Sequence, residues 1–400
     1  MKLFKLLFYL ILVLLPVGEL LRFEFGINIT IKPLDVTVGL TALCWIIFIF
    51  FNPSHRPTKK LLIPFVAFGA ICLVSLLANI SWLKQNEFLA SLLYLIRWVS
   101  YATLPFIVFQ FDKKIKKQLG LILFIDGLLF VLLGYIQYFF YPNLKSLYHL
   151  GWDEHMHRMF STLFDPNFAG ALFVLYFLFL AGVFYKFSKE KNKKNEKIFI
   201  GIILSLTLLA ILLTFSRAAI LMLIVGSSVF LFLINQKKLI LVILGVIILF
   251  AFGFSSQFYI ENINLFRQAS SKARLDNYSM ALKIISEKPL LGVGFNTYRY
   301  AKKADGVKSE WTNAPSHADA GVDNSFLFVL ATTGIIGFGV YLWVWFTLLK
   351  KAYQQHKKKD IFSTIFIAAS IGLFINALFI NSLFFPVLLV WMWVLFGLTV

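Results

Sequence analysis

The sequence is poor in acid, nearly free of cysteine and short of polar stretches. It has 19 Asp and Glu against 38 Lys and Arg, which leaves a formal net charge of +19. Two cysteines, Cys44 and Cys72, both lie inside apolar runs, and they exclude a disulfide framework and any CxxC redox or zinc motif. No DxD motif offers a cradle for a divalent cation on a nucleotide diphosphate, and no HExxH spacing offers one for zinc, so no metal or cofactor is expected. There is no solenoid-type repeat, and the one low-complexity segment is the lysine-rich stretch 186–197.

What is present is apolar. Sixty percent of the residues are hydrophobic and 18% aromatic, and the mean hydropathy is +0.81, far from the balance of a soluble domain. Runs long enough to cross about 30 Å of hydrocarbon as helices recur along the whole chain. About twelve can be counted, near residues 3–21, 35–52, 61–80, 87–111, 118–140, 166–185, 198–215, 218–235, 239–255, 324–349, 361–379 and 383–400. The first is long for a signal peptide and lacks a small-x-small cleavage site, so it reads as a span. The expected fold is all-α and polytopic. Basic residues alternate between connections: "HRPTKK", "DKKIKK", "KFSKEKNKKNEK", "QKK" and "KKAYQQHKKKD" fall on one side together with both termini. That pattern places both termini in the cytoplasm. It assigns the charge to topology and to anionic membrane lipids rather than to nucleic acid.

Two segments on the other side are too long for simple connections, 141–167 and roughly 255–323. The chain therefore divides into spans one to nine (1–253, with the external segment 141–167), an external loop (254–323) and spans ten to twelve (324–400). In that loop "SSKARLDNYSMALKIISEKPLLGVGF" reads as an amphipathic helix with Leu275, Tyr278, Leu282 and Ile285 on one face, stopped by Pro289 and the glycines. Arg274 lies one turn before Tyr278. Asp323 falls at the mouth of span ten. "GVGF" is a turn by default, or an anion-binding nest.

Charges inside apolar runs are costly, and each needs a reason. Arg217, in "LLTFSRAAILMLIVG", stands at a tight hairpin between spans seven and eight. It snorkels to headgroups, pairs with a buried acid, or faces a cavity holding an anion. Arg97 and Asp126 lie near equal depth on consecutive antiparallel helices, which suggests a structural ion pair, or else a proton or ion pathway. The patch "HLGWDEHMHR" carries His149, Asp153, Glu154, His155 and His157 without a metal-ligand spacing, and reads as a solvated or substrate-facing loop.

Four stretches, "RMFSTLFDPNFAGALFVLY", "LLTFSRAAILMLIVG", "ARLDNYSMALKIISEKPLLGVGFNTY" and "VDNSFLFVLATTGIIGFGVYL", resemble the O-antigen ligase and polymerase superfamily of bacterial membrane glycosyltransferases. The resemblance covers roughly residues 158–345. It implies about twelve transmembrane helices with a large external catalytic loop in the cytoplasmic (inner) membrane. The implied donor is an undecaprenyl-diphosphate-linked oligosaccharide, and the acceptor a glycan or a lipid. Arg217 and Arg274 would bind the diphosphate. Tyr278, Asn324, Arg158 and Asn167 would help to bind substrate, and Asp323 or His317 would activate the acceptor hydroxyl. In ligases of the family a histidine precedes the asparagine that opens span ten. Here Asp323 precedes Asn324, which favours a polymerase over a ligase acting on lipid A-core or protein. A secondary transporter using Arg97 and Asp126 is the alternative of a different class.

Overall fold

The computed structural model describes residues 2–24, 30–190, 192–239, 245, 269–304 and 321–399. The architecture is all-α: α1 (Lys2–Leu14), α2 (Pro33–Phe51), α3 (Lys59–Ala78), α4 (Gln85–Ala102), α5 (Leu104–Phe109), α6 (Lys113–Phe140), α7 (Pro166–Ser188), α8 (Lys194–Leu213), α9 (Arg217–Leu233), α10 (Ala269–Glu287), α11 (Tyr298–Ala304), α12 (Ser325–His356), α13 (Ile361–Ala377) and α14 (Pro386–Gly397). The only sheet among the described residues is a two-residue antiparallel pair between α1 and α2, with Phe23 opposite Ile31. Among the described residues, seven helices are long and apolar enough to cross a membrane: α2, α3, α4 with α5, α6, α7, α8 and α12. Four shorter apolar ones, α1 with its final turn, α9, α13 and α14, complete the bundle. The chain is thus a multi-pass membrane protein. The expected run 239–255 lies outside the described residues apart from 239 and 245.

Helix starts follow local capping chemistry. Asp112, Asp165, Ser216, Asn324 and Asp360 each accept a backbone N–H from the first turn of α6, α7, α9, α12 and α13. Without a strong hydrophobic force between helices in lipid, small residues set the closest approaches. Gly372 of α13 faces Gly226 of α9, where an added Cβ would lie 3.1 Å from the Met222 carbonyl oxygen. The centre of the bundle is α14, every residue of which is buried. Its twelve residues span about 18 Å, well short of the membrane core, so space remains above its N-terminus.

The glycines of "GVGF" serve a backbone join. Gly334 has φ 65° and interrupts α12, and the chain after α10 closes that break. Val293 N donates to Ala331 O (2.9 Å), Gly294 N to Thr332 O (3.1 Å) and Ile335 N to Pro289 O (2.8 Å). Ser75 Oγ of α3 lies 2.6 Å from Leu291 O and 2.7 Å from Thr332 O, and Asn79 Nδ2 donates to Gly292 O (3.0 Å). A broken span survives where other protein groups satisfy the freed backbone. The turn reading of this motif therefore holds, with positive φ at Gly292 and Gly294.

α10 presents a different face from the one its leucines suggested. Ala281 and Ile284 are buried against Val293, Tyr298 and Phe328, and Tyr278 and Ile285 are half-buried. Leu275 and Leu282 are exposed.

Candidate functional site

Above α14, at the end of the bundle that carries the long connections, lies a cavity of about 790 Å³. Its floor includes Phe385, Pro386 and Leu389, and its walls come from positions far apart in sequence: 19–22, 30–32, 94–101, 148–168, 274, 295–299, 321–328 and 379–384. Arg158, Asn167, Arg274 and Asp323, all expected site residues, line it.

Asp323 is held from α10. Its backbone N–H donates to Asn277 Oδ1 (3.2 Å). The Tyr278 hydroxyl lies 3.1 Å from Asp323 O and 2.6 Å from Leu378 O at the end of α13. Tyr278 is thus a clamp on the backbone beside the site rather than part of the cavity wall. Asn324 caps α12, its Oδ1 accepting from Phe326 N (2.9 Å) and Leu327 N (3.0 Å). Its side chain caps the helix instead of lining the cavity. His317 lies outside the described residues.

The hairpin carrying Arg217 is fixed from α7 and the segment before it. Phe215 takes φ 49°, Ser216 caps α9, and Arg217 is the first helical residue. Arg158, 5% exposed, donates from Nε to Thr214 O (2.9 Å) and from Nη2 to Phe215 O (3.5 Å) and Asn167 Oδ1 (3.4 Å). Asn167 Oδ1 also accepts from Ser216 Oγ (2.9 Å). Gly170 allows this approach, since a Cβ there would lie 2.7 Å from the Ala219 Cβ. Arg217 itself does not line the cavity, yet it is close enough to Arg274 for the two guanidinium groups to oppose each other.

The electrostatics bring carboxylates and cations together. Burial pushes the Asp323 carboxyl above its ordinary range; Arg274 and Lys302 pull it back, and Asp165 adds to the rise. Burial, with Asp165 and Asp323 as like charges, raises Asp153 to about 6, against the pull of Arg158. Of the histidine-rich patch, Asp153, Glu154 and His155 line the cavity while His149 and His157 do not. Sequence reasoning had no role for Asn277, Asp165, Arg22, Lys32 or Glu19. Only Asp165 carried a signal, as an N-cap before Pro166.

The expected Arg97–Asp126 pair is not formed. Arg97 Nε bonds Asp35 Oδ1 at 2.8 Å, and Tyr101 OH donates to the same oxygen at 2.7 Å. The reason is packing: α4 lies against α2 and α3, whereas α6 lies against α1, α7 and α8, so equal depth does not make neighbours. Asp126 is 3% exposed, and its Oδ2 has no partner among the described residues.

No curated protein matches the chain. The family model described as O-antigen ligase matches residues 202–342, a range that runs from α8 through the Arg217 hairpin, α10 and Asp323 into α12. Over that range, about a third of its length, the chain is similar to the O-antigen ligase family.

Proposed function

We propose that the protein is a glycosyltransferase of the bacterial cytoplasmic membrane. It takes an oligosaccharide from undecaprenyl diphosphate on the outer face and adds it to another lipid-linked glycan. The loop-bearing end faces outward, as the lysine distribution requires if the positive side is inside. The observation that carries the reading is the meeting of Arg274 and Asp323 on one cavity wall, with Arg217 within electrostatic reach.

Transfer breaks the bond between sugar C1 and the diphosphate oxygen and forms one between C1 and the acceptor oxygen. The leaving diphosphate takes the electron pair, and Arg217 and Arg274 meet its charge through planar, bidentate hydrogen bonds. The acceptor hydroxyl gives its proton to the Asp323 carboxylate, which passes it to water. A carboxyl raised by burial is a stronger base than an ordinary one, and general-base help is worth about 10² to 10⁴-fold. A carboxylate before Asn324 is what favours polymerisation over ligation to lipid A-core or protein. The test is purified protein in nanodiscs with lipid-linked repeat units. Lengthened chains support the reading, and unextended repeats with intact, folded protein refute it.

A further inference from the structure

The cavity exceeds what a diphosphate and one base require. The cavity is also lined by residues of two connections, Glu19, Arg22, Thr30 and Lys32 before α2 and residues 148–155 after α6, whose side chains the reaction above does not use. The first is anchored to Thr162, beyond the second in sequence. Glu19 N donates to Thr162 O (2.8 Å), Thr162 Oγ1 donates to Pro16 O (2.8 Å), and Gly18 has φ 58° with no room for a side chain against Thr162. His155 is held at φ 44° and His157 at φ 53°, backbone strain of a kind that concentrates at binding sites.

The wall carries buried charge and aromatic rings together. Glu19 is 4% exposed and binds Lys32, 8% exposed, with Arg22 Nη1 at 3.7 Å. The Arg22 guanidinium sits 5.1 Å from the Trp152 ring centroid, and Phe164 meets that ring edge-on at 5.2 Å. Tyr148 is exposed, and Asp153 faces the same space. Apolar residues would build a wall at lower cost, so buried ionic groups on a cavity surface point to a ligand. A second diphosphate does not fit, because Lys32 and Arg22 share Glu19, and Asp153 and Glu154 add negative charge. A sugar does fit: the C–H face of a pyranose stacks on an indole, and its rim of hydroxyls needs donors and acceptors side by side.

We infer that Glu19, Arg22, Lys32, Tyr148, Trp152 and Asp153 form a saccharide subsite that seats a pyranose against Trp152. The inference rests on the glycosyl-transfer reading only for the source of the sugar, which is either the acceptor repeat or the donor chain. Binding is measured by saturation-transfer NMR on the full-length protein in nanodiscs, with oligosaccharides released by mild acid from the producing cell's lipid-linked pool. Kinetics are measured separately with the single lipid-linked repeat and the lipid-linked polymer varied. Trp152→Ala should weaken saturation transfer and raise one KM about tenfold, while Trp152→Phe retains most of the wild-type behaviour. A higher KM for the single repeat makes the subsite an acceptor site, and a higher KM for the polymer makes it a donor site. Should Trp152→Ala fail to fold, Asp153→Asn reads the same KM. Unchanged saturation transfer and KM values in a folded variant overturn the subsite. Wild-type protein that binds the sugars but extends no chains refutes the transferase reading and leaves the subsite standing.

Discussion

Replacing Arg158 by alanine should release the hairpin that aims Arg217. The guanidinium serves the carbonyls of Thr214 and Phe215, which are 0% and 8% exposed, and also Asn167 Oδ1. A buried carbonyl left without a donor costs about 1–3 kcal/mol, so the two together should cost roughly 2–6 kcal/mol. Part of that loss appears as a lower thermal unfolding midpoint. The rest appears as movement of the 214–217 turn, and a displacement of about 1 Å can cost 10²-fold in turnover. Arg158→Lys keeps the charge but not the fork, and should fall between the two. The assay is chain extension with donor concentration varied, alongside thermal unfolding in the same detergent. A positioning role predicts that donor KM rises with the stability loss, and that Asn167→Ala shares the kinetic effect through Ser216. Wild-type unfolding and wild-type donor KM in Arg158→Ala would refute the reasoning.

Truncating Asp35 alone should destabilise the fold by about 3–5 kcal/mol, because it strands Arg97; an Asp35→Ala, Arg97→Leu double variant should recover most of it in a thermal unfolding comparison. Gly334→Ala should lower the unfolding midpoint sharply, since φ is 65° and a Cβ would lie 2.1 Å from Leu290 O; an unchanged midpoint would contradict the described join. With Asp323 raised above the ordinary carboxylate range and active only when ionised, kcat/KM should fall as pH drops through that raised value, at a pH where a free carboxyl is still ionised. Asp323→Asn should lose that limb together with most of the rate. In intact cells, an impermeant thiol reagent should label a cysteine at Ser286 and spare one at Asn192, and the reverse pattern would invert the topology.

The spans, the Arg217 hairpin and the loop helix with Arg274 were legible because each depends on local pattern: apolar length, a charge in an apolar run, and capping residues. The Arg97 partner was not legible. Depth along a helix can be counted from sequence, but which helices touch is decided by packing, and α4 chose α2 over α6. The buried face of α10 was misassigned for a related reason. In a membrane protein apolar side chains face lipid or interfaces as readily as the core, so Leu275 and Leu282 marked the exposed side while small Ala281 marked the contact. The cavity itself is assembled from segments spread between residues 19 and 389 and has no local signature. Asp323 was singled out by its place before Asn324, whereas its backbone partner Asn277 is visible only in three dimensions.

The central claim is that Arg217 and Arg274 hold the donor diphosphate while Asp323 acts on the acceptor. Equilibrium binding of undecaprenyl diphosphate to the protein in nanodiscs tests it most directly. The account predicts that Arg217→Lys and Arg274→Ala weaken binding strongly with the fold intact, while Asp323→Asn binds as the wild type does yet fails to extend chains. Wild-type affinity in both arginine variants would contradict it.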